Sequence, residues 1–144
     1  MGRMVGKRVY IDHLKHVPLF SECSRKDLEK IAAHSDVIEL PAGRVIMHQG
    51  MPGSDAFVVL EGTVTVRRNG RKVVDLGPGA VVGELSLLDQ GDRSASVECA
   101  STCSLLVLTR GEFLAAIDEV PALSRKLFAS LAGRLRNLDG RSYV

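Results

Sequence analysis

The sequence lacks any apolar run near the roughly 18 residues that cross a bilayer. Its N-terminus also lacks the apolar core of a secretory leader. Both absences predict a cytoplasmic chain with no membrane segment. An excess of one charge is missing too: 19 Lys and Arg against 17 Asp and Glu leave a net +2. That is too near balance to imply nucleic acid or a lipid surface as a partner. Cysteine is scarce, and Cys23, Cys99 and Cys103 form an odd set with no Cys-x-x-Cys pair. This argues against a disulfide framework or a zinc site. The cysteines are expected as small buried hydrophobes in a reducing compartment, with a redox or cluster role as the alternative. His13, His16, His34 and His48 are scattered. Only His13 and His16 are spaced for one helix face, and no third ligand accompanies them, so no metal is expected. Repeats and long linkers are absent as well. What remains is 144 residues, 45% hydrophobic and 25% charged, an ordinary composition for one globular domain.

The patterning changes twice along the chain. Residues 1–8 are basic and weakly patterned, and are expected as a flexible tail. A short helix over Val9–His16 would end at Pro18. Ser24 with Asp27 forms a variant capping box before the apolar positions Leu28, Ile31 and Ala32, which predicts a helix to about His34. Strand signals follow over Val37–Leu40, Arg44–Met47, Ala56–Leu60, Thr63–Arg67, Arg71–Leu76, Val81–Val82, Ser94–Cys99 and Leu105–Thr109. Asn69-Gly70 suits a two-residue type I′ hairpin, in which both residues take positive φ. About eight short strands at close intervals predict a sandwich or barrel. The pattern then becomes helical again. Thr109 and Glu112 open one helix to about Ile117, and Pro121 opens a second. In that last helix Leu123, Leu127, Leu131, Leu135 and Leu138 form an apolar stripe with Phe128 beside it. Arg125, Lys126, Arg134 and Arg136 give it a basic face. The expected fold is mainly β with flanking helices: a jelly-roll-like β-roll with N-terminal helices and two C-terminal helices. It forms one domain over 9–139, with 140–144 a second flexible tail.

Between the strands ending at Val82 and beginning at Ser94 lies Gly83-Glu84-Leu85-Ser86-Leu87-Leu88-Asp89-Gln90-Gly91-Asp92-Arg93-Ser94-Ala95. Arg93 can offer a planar, two-pronged fork to an anion. Ser94 adds a hydroxyl, and the small residues after Arg93 let backbone amides come close. Glu84 opens a short helical turn and can accept hydrogen bonds from vicinal or ring hydroxyls. The plain alternative is a surface turn in which Glu84 and Arg93 form a solvated ion pair of little energetic consequence.

Gly83-Glu84-Leu85-Ser86 followed by Arg93-Ser94-Ala95 resembles the phosphate-binding cassette of cyclic-nucleotide-binding domains, the family of cAMP receptor proteins and protein kinase A regulatory subunits. The resemblance extends over about 14–138, because the leading helix, the roll and the two closing helices fall in the family's order. It implies that Glu84 binds the ribose and Arg93 the cyclic phosphate. Gly83, Leu85 and Ser86 would form the short helix facing them, and Ser94 and Ala95 the two small residues after the arginine. Val66, Val73, Val74 and Val82 match apolar pocket positions, or are ordinary core valines. Ser94, where guanine-selective members often carry threonine, favours cAMP over cGMP. Arg134 would stack on the base as a cation–π partner or simply lie on a solvated helix face; Asn137 and Leu138 are the other candidates for that cover.

The implied function is a non-enzymatic sensor with no cofactor beyond its nucleotide. Binding would draw the Glu84–Gln90 turn inward, move the helix bearing Phe113 and Leu114, and so reposition the last helix. That helix packs over the roll or against a second copy, and a homodimer is preferred. No helix-turn-helix DNA-binding segment is recognisable, so the output is expected to pass through an unknown effector protein. A metal-dependent cupin is rejected because His48 stands alone, and an iron–sulfur regulator because no N-terminal cysteine cluster is present. Two alternatives remain: a ligand-independent interaction domain with the same fold, and the excised sensor of a larger regulator or transporter.

Overall fold

The computed structural model describes residues 3–5 and 10–139. Among the described residues, nine strands form two antiparallel sheets. They are β1 (Arg3–Val5), β2 (Asp36–Leu40), β3 (Val45–Met47), β4 (Asp55–Glu61), β5 (Val64–Arg68), β6 (Arg71–Leu76), β7 (Val81–Val82), β8 (Ser96–Cys99) and β9 (Cys103–Thr109). One sheet runs β1-β2-β9-β4-β7 and the other β3-β8-β5-β6. The α-helices among the described residues are α1 (Ile11–Leu14), α2 (Arg25–Ala33), α3 (Glu84–Asp89), α4 (Arg110–Glu119) and α5 (Pro121–Asp139). A 3-10 turn at Pro18–Phe20 joins α1 to α2.

The apolar run at 56–60 is continuous because β4 is covered on both faces. Ala56, Val58 and Leu60 pack with the helical residues Leu28, Ile31, Phe113 and Leu123. Phe57 and Val59, pointing the other way, pack between the sheets with Met47, Val64, Val97 and Leu105. The two layers therefore share β4 and its partner β9, whose register sets Val58 against Leu106.

Local sequence explains most of the boundaries. Ser24 accepts from the Asp27 amide at 3.1 Å, and Asp27 accepts from the Ser24 amide at 3.0 Å. Thr109 and Glu112 form the same reciprocal box at the start of α4. The Asn69-Gly70 hairpin has both residues at positive φ, 55° and 78°, as its turn type requires.

Several expectations shift, among them the start of the last strand, which lies at Cys103 and not at Leu105. The helix expected over Val9–His16 shrinks to Ile11–Leu14, because the chain tightens into His16→His13 and Val17→Leu14 backbone turns and Pro18 holds Val17 extended. Residue 9 and the tail at 140–144 lie outside the described residues. Arg3–Val5, expected within a flexible tail, adds an edge strand to β2 with Met4 opposite Ile38; backbone pairing holds such a strand without a side-chain pattern to announce it. The strand expected from Ser94 begins at Ser96. Finally, α4 extends to Glu119, past the expected end at Ile117.

Cys99 and Cys103 are buried between the sheets. Burial, with Cys103 adding to it, pushes the Cys99 thiol up to about 12, the property of an inert packing residue. Among the described residues no cluster of three or more His, Cys, Asp and Glu could hold a metal, and no helix is long and apolar enough to cross a membrane.

Candidate functional site

A cavity of about 320 Å³ opens beside the β5–β6 hairpin, α3 and the segment after Arg93. Its wall contains Gly83, Glu84, Leu85, Ser86, Ser94 and Ala95, all expected at the site, and also Val66, Val73, Val74, Val82 and Arg134. That the consecutive Val73 and Val74 both reach it needs explanation, since neighbours in a strand face opposite ways. Pairing supplies it: Val66 lies opposite Val74 but Arg67 lies opposite Lys72, so Val73 is the extra residue of a β-bulge. Val82 is buried and also serves the inter-sheet core, whereas Val73, Val74 and Leu85 stand exposed around the opening.

Arg93 does not line this cavity. Its backbone is clamped to the preceding loop: the Arg93 amide donates to the Met51 carbonyl and the Gly50 amide to the Arg93 carbonyl, both at 2.9 Å. The residue as a whole is 6% exposed. Nη1 donates to the Gly83 carbonyl at 3.0 Å and Nη2 to the Asp55 carbonyl at 2.7 Å. Two N–H groups are spent in this way; Nη1 lies under Gly83, and Cζ and Nε lie against Gly53. Burial lowers the guanidinium pKa, and the carboxylates of Asp55 and Glu84 oppose that fall; the group stays a cation, as arginine does in proteins.

Two glycines make room for it. A Cβ on Gly53 would lie 2.7 Å from Arg93 Cζ and from Ser86 Cβ, and one on Gly83 would lie 2.7 Å from Arg93 Nη1. Gly83 also takes φ 87° as it starts α3, a conformation that favours glycine. Gly53 and Asp55 were thus missed as site residues. The glycine-rich loop at 49–55 was visible in the sequence, but its grip on a residue forty positions later was not. Met47, Arg68, Leu76, Val81 and Val97 also line the cavity without having been anticipated. For Val97 the alternation of β8 was an available signal.

Glu84 is nearly buried, at 5%, yet it has a partner from far along the chain. Arg134 of α5 donates to its Oε1 at 2.5 Å while remaining 45% exposed itself. This ion pair forms part of the wall of a second cavity, of about 430 Å³, between α5, the Pro18–Leu19 turn and Val81. Arg134 therefore lies at the site, held on the carboxylate expected to receive the ribose. Asn137 is exposed and outside the cavity wall, and the side chain of Leu138 lies outside the described residues.

Chemically, the cavity joins an apolar wall to an acceptor at Glu84, a hydroxyl at Ser94 and a buried cation just behind Gly83. That combination suits a compact, singly charged ester with a hydroxyl to donate and a flat apolar portion. The comparisons with known proteins agree. The model of the cyclic nucleotide-binding domain family matches residues 37–120. A cyclic AMP receptor protein of Thermus thermophilus is 35% identical over 131 residues, spanning 88% of this chain and 61% of that protein. A cyclic nucleotide-gated potassium channel of Mesorhizobium japonicum is 38% identical over 108 residues, spanning 75% of this chain and 30% of the channel. The crystal structure of the Thermus thermophilus catabolite activator protein superposes with a TM-score of 0.79 at 36% identity, over 85% of this chain and 60% of that one.

The chain belongs to the cyclic nucleotide-binding domain family, and its β-roll with flanking helices is that family's fold. It spans 61% of the length of the first of these curated relatives and 30% of the second.

Proposed function

We propose that this chain is a cAMP sensor that needs no further cofactor and performs no catalysis. One observation carries the proposal: Glu84, Ser86, Ser94 and Ala95 surround a single cavity, with the Arg93 guanidinium directly behind Gly83. The cyclic phosphate would take the remaining Arg93 donors, the Ser94 hydroxyl and nearby amides, while Glu84 accepts from the ribose 2′-hydroxyl. Ser94 favours adenine over guanine.

Glu84 cannot serve the ribose and Arg134 in the same way. Nucleotide entry would therefore loosen the Arg134–Glu84 pair, freeing Arg134 to turn toward the base and α5 to shift. A route for the change through the core also exists. Leu87 of α3 packs with Phe113, Ala116, Leu123 and Leu127, and its carbonyl accepts from Arg110 Nε at 3.1 Å. The shift signals only to the extent that the nucleotide prefers one α5 position. Phe128 and Leu135, 69% and 67% exposed, offer α5 a face for a second copy, with an effector protein reading the outcome in the cytoplasm.

Calorimetric titration with cAMP and cGMP tests this. Wild type should bind cAMP at micromolar levels or better, and more tightly than cGMP. Arg93→Ala should lose about 2–4 kcal/mol of binding, the scale for removing one partner of a buried charge-assisted contact. No binding of either nucleotide by wild type would leave the ligand-independent interaction domain as the better description.

A further inference from the structure

Arg68 ends β5 just before the Asn69-Gly70 turn. Alternation along β5 separates its side chains: Thr65 and Arg67 line a groove with Ser96 and Glu98, while Val66 and Arg68 line the nucleotide cavity. Of its cationic neighbours, Arg67 is neutralised by Glu98 at 2.7 Å and Lys72 by Asp75 at 2.6 Å, while Arg71, opposite it in the hairpin, lies outside the cavity wall. Within the cavity wall Arg134 is neutralised by Glu84. Arg68 has no carboxylate within ion-pair distance among the described residues. Instead, its Nε donates to the carbonyl of Ser94 at 3.3 Å, which draws the guanidinium over the residue next to Arg93. One N–H anchors the fork, and its two Nη groups remain for another acceptor. The hairpin carrying it is itself tied down: Gln49 Nε2 donates to Asn69 Oδ1 at 3.0 Å, and the Asn69 amide to Gln49 Oε1 at 2.8 Å.

We infer that Arg68 is a ligand-contacting residue, donating its Nη groups to acceptor atoms of the bound nucleotide. The inference rests on the nucleotide-binding proposal above. Two parts of a cyclic nucleotide present such acceptors. The phosphate offers anionic oxygens. A purine offers N7, joined by O6 in guanine, a pair that an arginine fork matches.

Titrations of wild type, Arg68→Gln and Arg68→Lys with cAMP and cGMP, beside ligand-free melting curves, test it. Arg68→Gln should weaken binding roughly threefold to tenfold, the scale of a rim charge, with an unchanged ligand-free melting temperature. Equal losses for the two nucleotides, largely restored by lysine, would identify the phosphate as the acceptor. A larger loss for cGMP, not restored by lysine, would identify the purine edge. Unchanged affinities in Arg68→Gln, with wild type binding normally, would overturn the inference and leave the sensor proposal standing. So would a loss matched by a fall in the ligand-free melting temperature, which would mark a structural role through Ser94. Failure of wild type to bind either nucleotide would overturn both.

Discussion

Arg93 and Arg134 stand on either side of Glu84 and are held in opposite ways. Arg93 is gripped by a loop through its backbone, by two carbonyls through its guanidinium, and by glycines that leave it just enough room. Arg134 reaches the site on a helix whose first half is well seated. There Leu123 and Leu127 are buried, Ser124 Oγ donates to the Ile117 carbonyl at 2.9 Å and Lys126 pairs with Glu22 at 3.6 Å. Its second half carries exposed Phe128 and Leu135, keeps Leu131 partly buried against the core, and holds Glu84 through an ion pair. Under the proposed function, this difference would separate a fixed recognition element from a tether that can be released.

The sharpest way to blur that contrast is to crowd the fixed side. Gly83→Ala would bring a Cβ within 2.9 Å of the Asp55 carbonyl as well as against Arg93, at a φ of +87°. It should destabilise the fold by about 1–3 kcal/mol and weaken nucleotide binding, as read by denaturant unfolding and calorimetry. Unaltered stability would mean that the grip on Arg93 is looser than its geometry implies.

Releasing the tether should do less. Arg134→Ala leaves Glu84 facing two cavities rather than a dry interior, and the lost partner is half exposed. Ligand-free stability should change by about 1 kcal/mol or less. Amide exchange should quicken over 128–137 and stay as it is over 122–127. Uniform protection along α5 would contradict the division of the helix.

The smallest expected effect lies in the pH dependence of the fixed side. Burial pushes the Asp55 carboxyl above its ordinary 3.8, more than the Arg93 charge pulls it down. The folded chain keeps that proton where the unfolded chain has lost it. Stability therefore falls as pH rises from 3.8 through the raised folded value, and this component is level above it. Asp55→Asn should gain on wild type across that window. Parallel stability–pH curves for the two would show that Asp55 is not desolvated.

Much of the roll was legible because its signals are local. Ser24 with Asp27, Thr109 with Glu112, and Asn69-Gly70 each announce a boundary within a few residues. The run at 56–60 announces a buried strand. The cassette was legible through Glu84 and the Arg93-Ser94-Ala95 run, which the fold brings together around or just behind one cavity. What stayed hidden depends on distance along the chain. Nothing near Arg134 points to Glu84, and nothing near Gly53 points to Arg93, because tertiary packing alone makes those contacts. Arg68 was hidden differently: one of four basic residues around a turn, it is set apart only by the strand face it occupies. The strand at Arg3–Val5 was missed because an edge strand can be held by backbone pairing alone.

The comparison between the two arginines is tested most directly by titrating cAMP into Arg93→Ala and Arg134→Ala beside wild type. Arg93→Ala should lose roughly thirtyfold or more in affinity, and Arg134→Ala should stay within about tenfold of wild type. Equal losses in the two variants, or wild-type affinity in Arg93→Ala, would contradict a fixed cassette facing a releasable helix.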